Sequence, residues 1–420
     1  MLDRTIPPIA GKISNIEFTH ARGITLSNGI PVHIINAGQH DIIRLEIILK
    51  SGKWYEPNNG TAYFASQMLL EGTSALTSKE LADIFEFNGA HVNISSGIDY
   101  NILVAYVIRS KLSEIIRIIK DCLVDPAFSQ EELAIMKDIK KQQIRINNEK
   151  NSFVAGKEIR KLLYGHLHPY GRELETDDIG QRITREYLLQ YYNQDLLRGI
   201  EIIISGKLTD QLIEDLQIFN DLPVISPQDK LWDIEDGRDA SVVIPKKDSL
   251  QSSVRLGRRI IHKAHPDFIG LLILNEIFGG FFGSRLMKNI REDKGYTYGI
   301  HSSIVNHVKD SFWIIGTDVK KEFVDDTIDQ IYFEADRLRN EPIGTEELEV
   351  VRNYMLGNFL SSLETSFSLA DKFKNIYFFG QDYSFYDKYI DIINTITAQD
   401  IQELANKYLD GHTFKQVVVG

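Results

Sequence analysis

The sequence predicts an α+β protein built from two homologous domains, each a mainly antiparallel sheet layered with helices. Two observations carry that prediction: the chain repeats itself at a displacement near half its 420-residue length, and each copy alternates strand-like with helix-like segments. "FEFNGAHVNISS" (85–96) resembles "IREDKGYTYGIHSS" (290–303), which places Gly295 opposite Gly89, 206 residues earlier. "FSQEELAIM", from Phe128, resembles "IGTEELEVV", from Ile343, 215 residues on. "ITREYLLQYYNQDLLRGIEIIISG", from Ile183, resembles "ITAQDIQELANKYLDGHTFKQVVVG", from Ile396, 213 residues on. Three matches in one order at nearly one displacement indicate two copies of one fold.

Within the first copy, "GIPVHIINA" and "IRLEIILKSG" read as neighbouring strands rich in β-branched residues. Thr77-Ser-Lys-Glu80 is a capping box that opens a helix, and Gly89 stops it. "AHVNISSGIDYNILVAYVI" continues the sheet, Ser129-Gln-Glu-Glu132 opens a second, longer helix, and "EIIIS" is a short buried strand near the end of the copy. "LPVISPQDKLWDIEDGRDAS" is rich in proline and acids and reads as the connection. The expected domains are therefore residues 1–222 and 241–420, joined by 223–240.

Composition is that of a packed globular protein, with 43% hydrophobic and 25% charged residues. A net charge of −12 and a pI near 5.5 argue against nucleic acid as a partner. The basic stretch 137–161, which includes Lys137, Lys140, Lys141 and Arg145, reads as a solvated helix face. The single cysteine, Cys122, forms no internal disulfide, and Met1–Pro8 lacks the apolar core of an export signal, so a cytoplasmic location is expected. The most apolar stretch, 268–283, is broken by Asn275, Glu276 and four glycines, so no membrane span is expected.

"NGTAYFASQMLLEGT", Asn59 to Thr73, carries the chemistry of interest. It resembles the catalytic helix of the pitrilysin, or insulinase-like, metallopeptidase family, whose pattern runs roughly G-x-A-H-F-x-E-H-M-x-F-x-G-T around the inverted zinc motif H-x-x-E-H. Gly60, Ala62, Phe64, Met68, Leu70, Gly72 and Thr73 keep that pattern. Tyr63 stands for the first histidine, Ser66 for the glutamate base and Gln67 for the second histidine, while alignment of the following helix puts Gln143 at the third ligand. Catalytic zinc takes three ligands from His, Asp, Glu or Cys, and a phenol and amides are poor substitutes. An unactivated serine hydroxyl is no general base near neutral pH. The resemblance thus implies a chain that holds no zinc cofactor of its own and is inactive alone. His166 and His168, beside the "HPYG" that the family shares, read as structural.

"GGFFGSRLMKNIREDKGYTYG", 279–299, resembles the other family signature, in which an arginine and a tyrosine seven positions apart complete an active site; here they are Arg291 and Tyr298. In the family the arginine holds substrate and the tyrosine donates to the tetrahedral oxyanion. Gly279, Gly280 and Gly283 lack the lysine of a phosphate loop and read as a turn between packed helices. The resemblance covers essentially the whole chain, in the family's half-length, two-domain form. It implies a non-catalytic subunit that lends Arg291 and Tyr298 to a zinc-bearing H-x-x-E-H partner in peptide cleavage. A silent peptide-binding or structural homodimer, pairing peptide along a strand edge such as "AHVNISSG", is the alternative.

Overall fold

The structure, a computed structural model, describes residues 16, 18–226, 230–235 and 240–420. The expected connection, 223–240, lies partly outside these residues.

Eleven strands form two sheets among the described residues. The first contains β1 (Arg22–Thr25), β2 (Pro31–Asn36), β3 (Ile42–Leu49), β4 (His91–Ser96), β5 (Asn101–Ile108) and β6 (Glu201–Gly206), in the order β1-β2-β6-β3-β5-β4. The second contains β7 (Ser241–Ile244), β8 (Gln251–Ile260), β9 (Thr297–Asn306), β10 (Ser311–Lys320) and β11 (Lys415–Val419), in the order β7-β11-β8-β10-β9. Without β1 the two orders coincide, down to the single parallel pair in each sheet, β2 with β6 and β7 with β11. The repeat read from the sequence is therefore a repeat of topology.

One expectation is corrected. β2 and β3 do not pair; β6 lies between them, parallel to β2 and antiparallel to β3, with Ile204 opposite both Ile34 and Leu45. Every residue of β6 is buried, which suits a central strand and no edge.

Local signals explain the helices that flank the sheets. Thr77 caps Ser78–Phe87 through the predicted reciprocal bonds with Glu80, and Gly89, at φ 61°, ends it. Ser129 caps the 20-residue helix Gln130–Glu149 by accepting from the Glu132 amide. The helix Leu112–Val124 buries Leu112, Ile115, Ile116, Ile119, Cys122 and Leu123 at helical spacing against the first sheet. Burial there pushes the Cys122 thiol up to about 12 and leaves it unreactive.

Each sheet is covered on its second face by a helix of the other half. Asn151–Tyr164 lays Val154, Ala155, Ile159 and Leu163 on Phe312, Val417 and Val419 of the second sheet. It approaches so closely that a Cβ on Gly257 would sit 2.9 Å from Ile159 Cγ1. Ser366–Tyr377 in turn lays Ala370 and Phe373 on Ile35, Ile48 and Ile203 of the first sheet. Its rim is ionic: Arg44 donates to both oxygens of Asp371 at 3.0 and 3.2 Å, and Lys374 pairs with the buried Glu46. Burial on both faces is why the central strands are almost continuously apolar.

A polar seam closes the same junction. Tyr170 donates its hydroxyl to Asp99 at 2.8 Å, the Val308 amide donates to the other Asp99 oxygen at 3.2 Å, and His307 stacks on Tyr170 with centroids 4.0 Å apart. Gly279 is also placed differently from expectation. It marks a close helix-to-strand approach, where a Cβ would sit 2.7 Å from Ser302 Cβ of β9.

Candidate functional site

The helix that carries the altered zinc motif, Thr61–Met68, has no side-chain cap at Gly60. Its first amides are satisfied instead by the buried carboxylate of Glu56, which accepts from Gly60 N and Ala62 N at 3.0 Å each and from Arg172 at 2.8 Å. Gly60, at φ 94°, is required at the turn, because a Cβ there would be 2.7 Å from Leu174. Burial pushes the Glu56 carboxyl upward against the pull of Arg172 and Lys53.

Tyr63 and Gln143 lie on the wall of one cavity of about 300 Å3. Between them stands Lys140. Its ammonium lies 4.1 Å from the centre of the Tyr63 ring and donates to Gln143 Oε1 at 3.2 Å. Lys140, Gln143, Ile144 and Asn147 line the cavity because positions three, four and seven apart share one helix face. The solvated-face reading of 137–161 is thereby corrected: Lys140 is half-buried in the site, Lys137 donates to the Ile183 carbonyl, and Arg160 pairs with Glu173 at 2.7 Å.

Ser66 and Gln67 are used structurally. Ser66 is fully buried and donates to the Tyr63 carbonyl at 2.9 Å, while Gln67 Nε2 donates to the Ile94 carbonyl of β4 at 2.8 Å. Zinc does not fit this donor set: a phenol and an amide line the cavity beside a lysine ammonium that would repel a dication, and Ser66 and Gln67 are engaged with backbone carbonyls. His166 and His168 do not converge either. His168 is buried against Trp54, Tyr164 and Tyr170, accepts from the Tyr170 amide, and is held down to about 4 by burial, whereas exposed His166 faces Glu235 at 3.4 Å.

In the second half, the seven-residue spacing of Arg291 and Tyr298 spans a π-helical turn, Met287–Asp293, the left-handed Gly295 at φ 65°, and the start of β9. Tyr298 is 92% exposed. Arg291 stacks between aromatic rings, 4.4 Å from the Phe282 centroid and 5.5 Å from that of Tyr298. Neither residue lines the Lys140 cavity.

Two family sequence models match consecutive parts of the chain. "Insulinase (Peptidase family M16)" matches residues 32–176, and "Peptidase M16 inactive domain" matches residues 182–355. The chain belongs to the M16, insulinase-like peptidase family. Family relatives include "Uncharacterized zinc protease YmxG" of Bacillus subtilis (strain 168), 23% identical over 391 residues that span 91% of this chain and 94% of that one. "Non-peptidase homolog YmxG" of Helicobacter pylori is 23% identical over 368 residues, 84% of this chain and 82% of its own. Among solved structures, the peptidase M16 inactive domain from Pseudomonas fluorescens superposes with a TM-score of 0.85 at 21% identity, covering 95% of this chain and 98% of that one. The chain is thus a half-length member of the M16 family. No helix among its described residues is long and apolar enough to cross a membrane.

The sequence reading missed Lys53, Glu56, Lys140 and Arg172 as site residues. Two signals were available: Lys140 precedes Gln143 by three positions on the aligned ligand helix, and Arg172 follows the shared "HPYG".

Proposed function

We propose that this chain is the non-catalytic subunit of a heterodimeric zinc peptidase, lending Arg291 and Tyr298 to the zinc site of a homologous H-x-x-E-H partner during peptide cleavage. The observation that carries the reading is the state of the pair. Among the described residues no carboxylate pairs with Arg291 and no group bonds the Tyr298 hydroxyl, yet stacking between the two holds the tyrosine outward. A phenol hydroxyl exposed to this degree, and bonded to no described group of its own chain, is free to meet a partner. Aimed at a tetrahedral oxyanion it contributes a preorganised donor, and the guanidinium contributes carbonyl or carboxylate contacts on the peptide.

Reconstitution tests the proposal. Mixed with its zinc-bearing partner, the chain should confer peptide cleavage. Tyr298→Phe should lower kcat on the order of 10²-fold with association unchanged by size measurement, and Arg291→Ala should impair substrate use as well. Full activity in both variants, or no activity gained on mixing, refutes the proposal. The alternative, a silent peptide-binding scaffold, is supported by the open outer edges of β4 and β9, although Gln67 already occupies one carbonyl of β4.

A further inference from the structure

The cavity that lacks a metal-binding donor set has a charge of the opposite kind to offer. Four cations line it, Lys53, Lys140, Arg160 and Arg172, against two carboxylates, Glu56 and Glu173. Both carboxylates are already engaged, Glu173 by Arg160 and Glu56 by Arg172 and two helix amides. The two lysines have only neutral acceptors: Lys53 donates to the Arg172 carbonyl and Lys140 to the Gln143 amide oxygen. An ammonium carries three donors, so each retains free ones, and the cavity holds an excess of two positive charges. That excess is held at a cost, because an ammonium in a confined space loses hydration. Burial pulls Lys53 down to about 8 and lowers Lys140 as well, although Glu173 opposes both shifts.

We propose that this cavity binds the C-terminal carboxylate of a peptide, with Lys140 and Lys53 as its counter-charges and an apolar last side chain against Ile98, Ile144, Phe153 and Leu174. The cavity volume of about 300 Å3 admits one terminal residue and excludes a folded chain. The Lys140 ammonium thus sets a positive charge beside Tyr63 that is open to ion pairing. The choice of peptide rests on the function proposed above, but the anion site needs no partner subunit.

The test uses the full chain alone. Calorimetric titration with acetyl-Ala-Ala-Leu as the free acid should show saturable binding, at least tenfold tighter than its C-terminal amide and weakened at 1 M salt. Lys140→Met should weaken binding of the acid about tenfold or more, Lys140→Arg should retain most of it, and Tyr298→Phe should leave it unchanged. Circular dichroism confirms that each variant is folded, and Lys53→Met gives an independent second reading. An amidated peptide with an internal glutamate that binds as tightly as the free acid would overturn the assignment to a C-terminus. Equal binding of acid and amide, no binding of any of the three peptides, or an unchanged Lys140→Met overturns the proposal. Absence of carboxylate binding by the unmodified chain, together with full heterodimer activity, would refute this inference and leave the proposed subunit role standing.

Discussion

The contact between Ile159 and Gly257 makes the docking of the two halves measurable. Ile159 is fully buried, and the position of a Cβ on Gly257 lies 2.9 Å from its Cγ1, 3.4 Å from its Cδ1 and 3.3 Å from Leu163 Cδ1. Gly257→Ala should overpack this junction at a cost of about 1–3 kcal/mol, offset by ~0.4–1 kcal/mol from the stiffer unfolded chain, for a net loss of about 1–2 kcal/mol. Ile159→Ala removes three buried carbons, about 2.4 kcal/mol at ~0.8 each, and with the cavity it leaves, the loss should reach roughly 3–4 kcal/mol. In the double variant the new methyl enters the space the isoleucine vacated. Its loss should therefore be about 2–3 kcal/mol rather than the additive ~5, a coupling of about 2 kcal/mol. Urea unfolding followed by circular dichroism measures all four proteins, and each should show one transition. Additivity within ~0.5 kcal/mol, or separate transitions for the two halves, would refute the account of the junction.

Three further expectations follow from the site and the seam. The isolated chain, dialysed against zinc, should retain less than stoichiometric metal by elemental analysis and should cleave no peptide, since Tyr63, Ser66, Gln67 and Gln143 offer no adequate ligand set; one tightly held zinc with chelator-sensitive turnover would sink this. Stability should fall as pH drops from 6.5 toward 4. Burial holds His168 and His307 at about 4, with Asp310 opposing, so the folded state keeps them neutral while the unfolded chain takes up protons, and the loss should be at most ~3 kcal/mol per histidine. A urea midpoint that stays flat across that window would contradict it. Thr77→Ala should cost about 1 kcal/mol through loss of the reciprocal cap with Glu80, and a Glu80→Ala change should add little to it, because both remove the same motif.

What the sequence disclosed was mostly local or repeated. The Thr77 and Ser129 caps and the repeat of one fold are set by short-range patterns or by comparing the chain with itself. The position of β6 between β2 and β3 was not legible, because pairing between residues 32–36 and 202–206 depends on how distant segments compete for one edge. Lys140 escaped notice for a related reason. A lysine in a basic helix has the same local signature whether it meets water or the ring of Tyr63, and only the folding of Thr61–Met68 against Gln130–Glu149 decides which. The altered zinc motif was legible in outline, while the roles of Ser66 and Gln67 as helix and strand tethers required the neighbours they bind.

The exchange of covering helices has a consequence for the origin and handling of the molecule. With Asn151–Tyr164 lying on the second sheet and Ser366–Tyr377 on the first, the chain is arranged as a domain-swapped dimer whose two subunits have been fused. Either half expressed alone would expose an apolar sheet face and an orphaned amphipathic helix, a combination prone to aggregate. Two fragments separated within 223–240 and produced together should instead reassemble, each one serving as the folding template for the other.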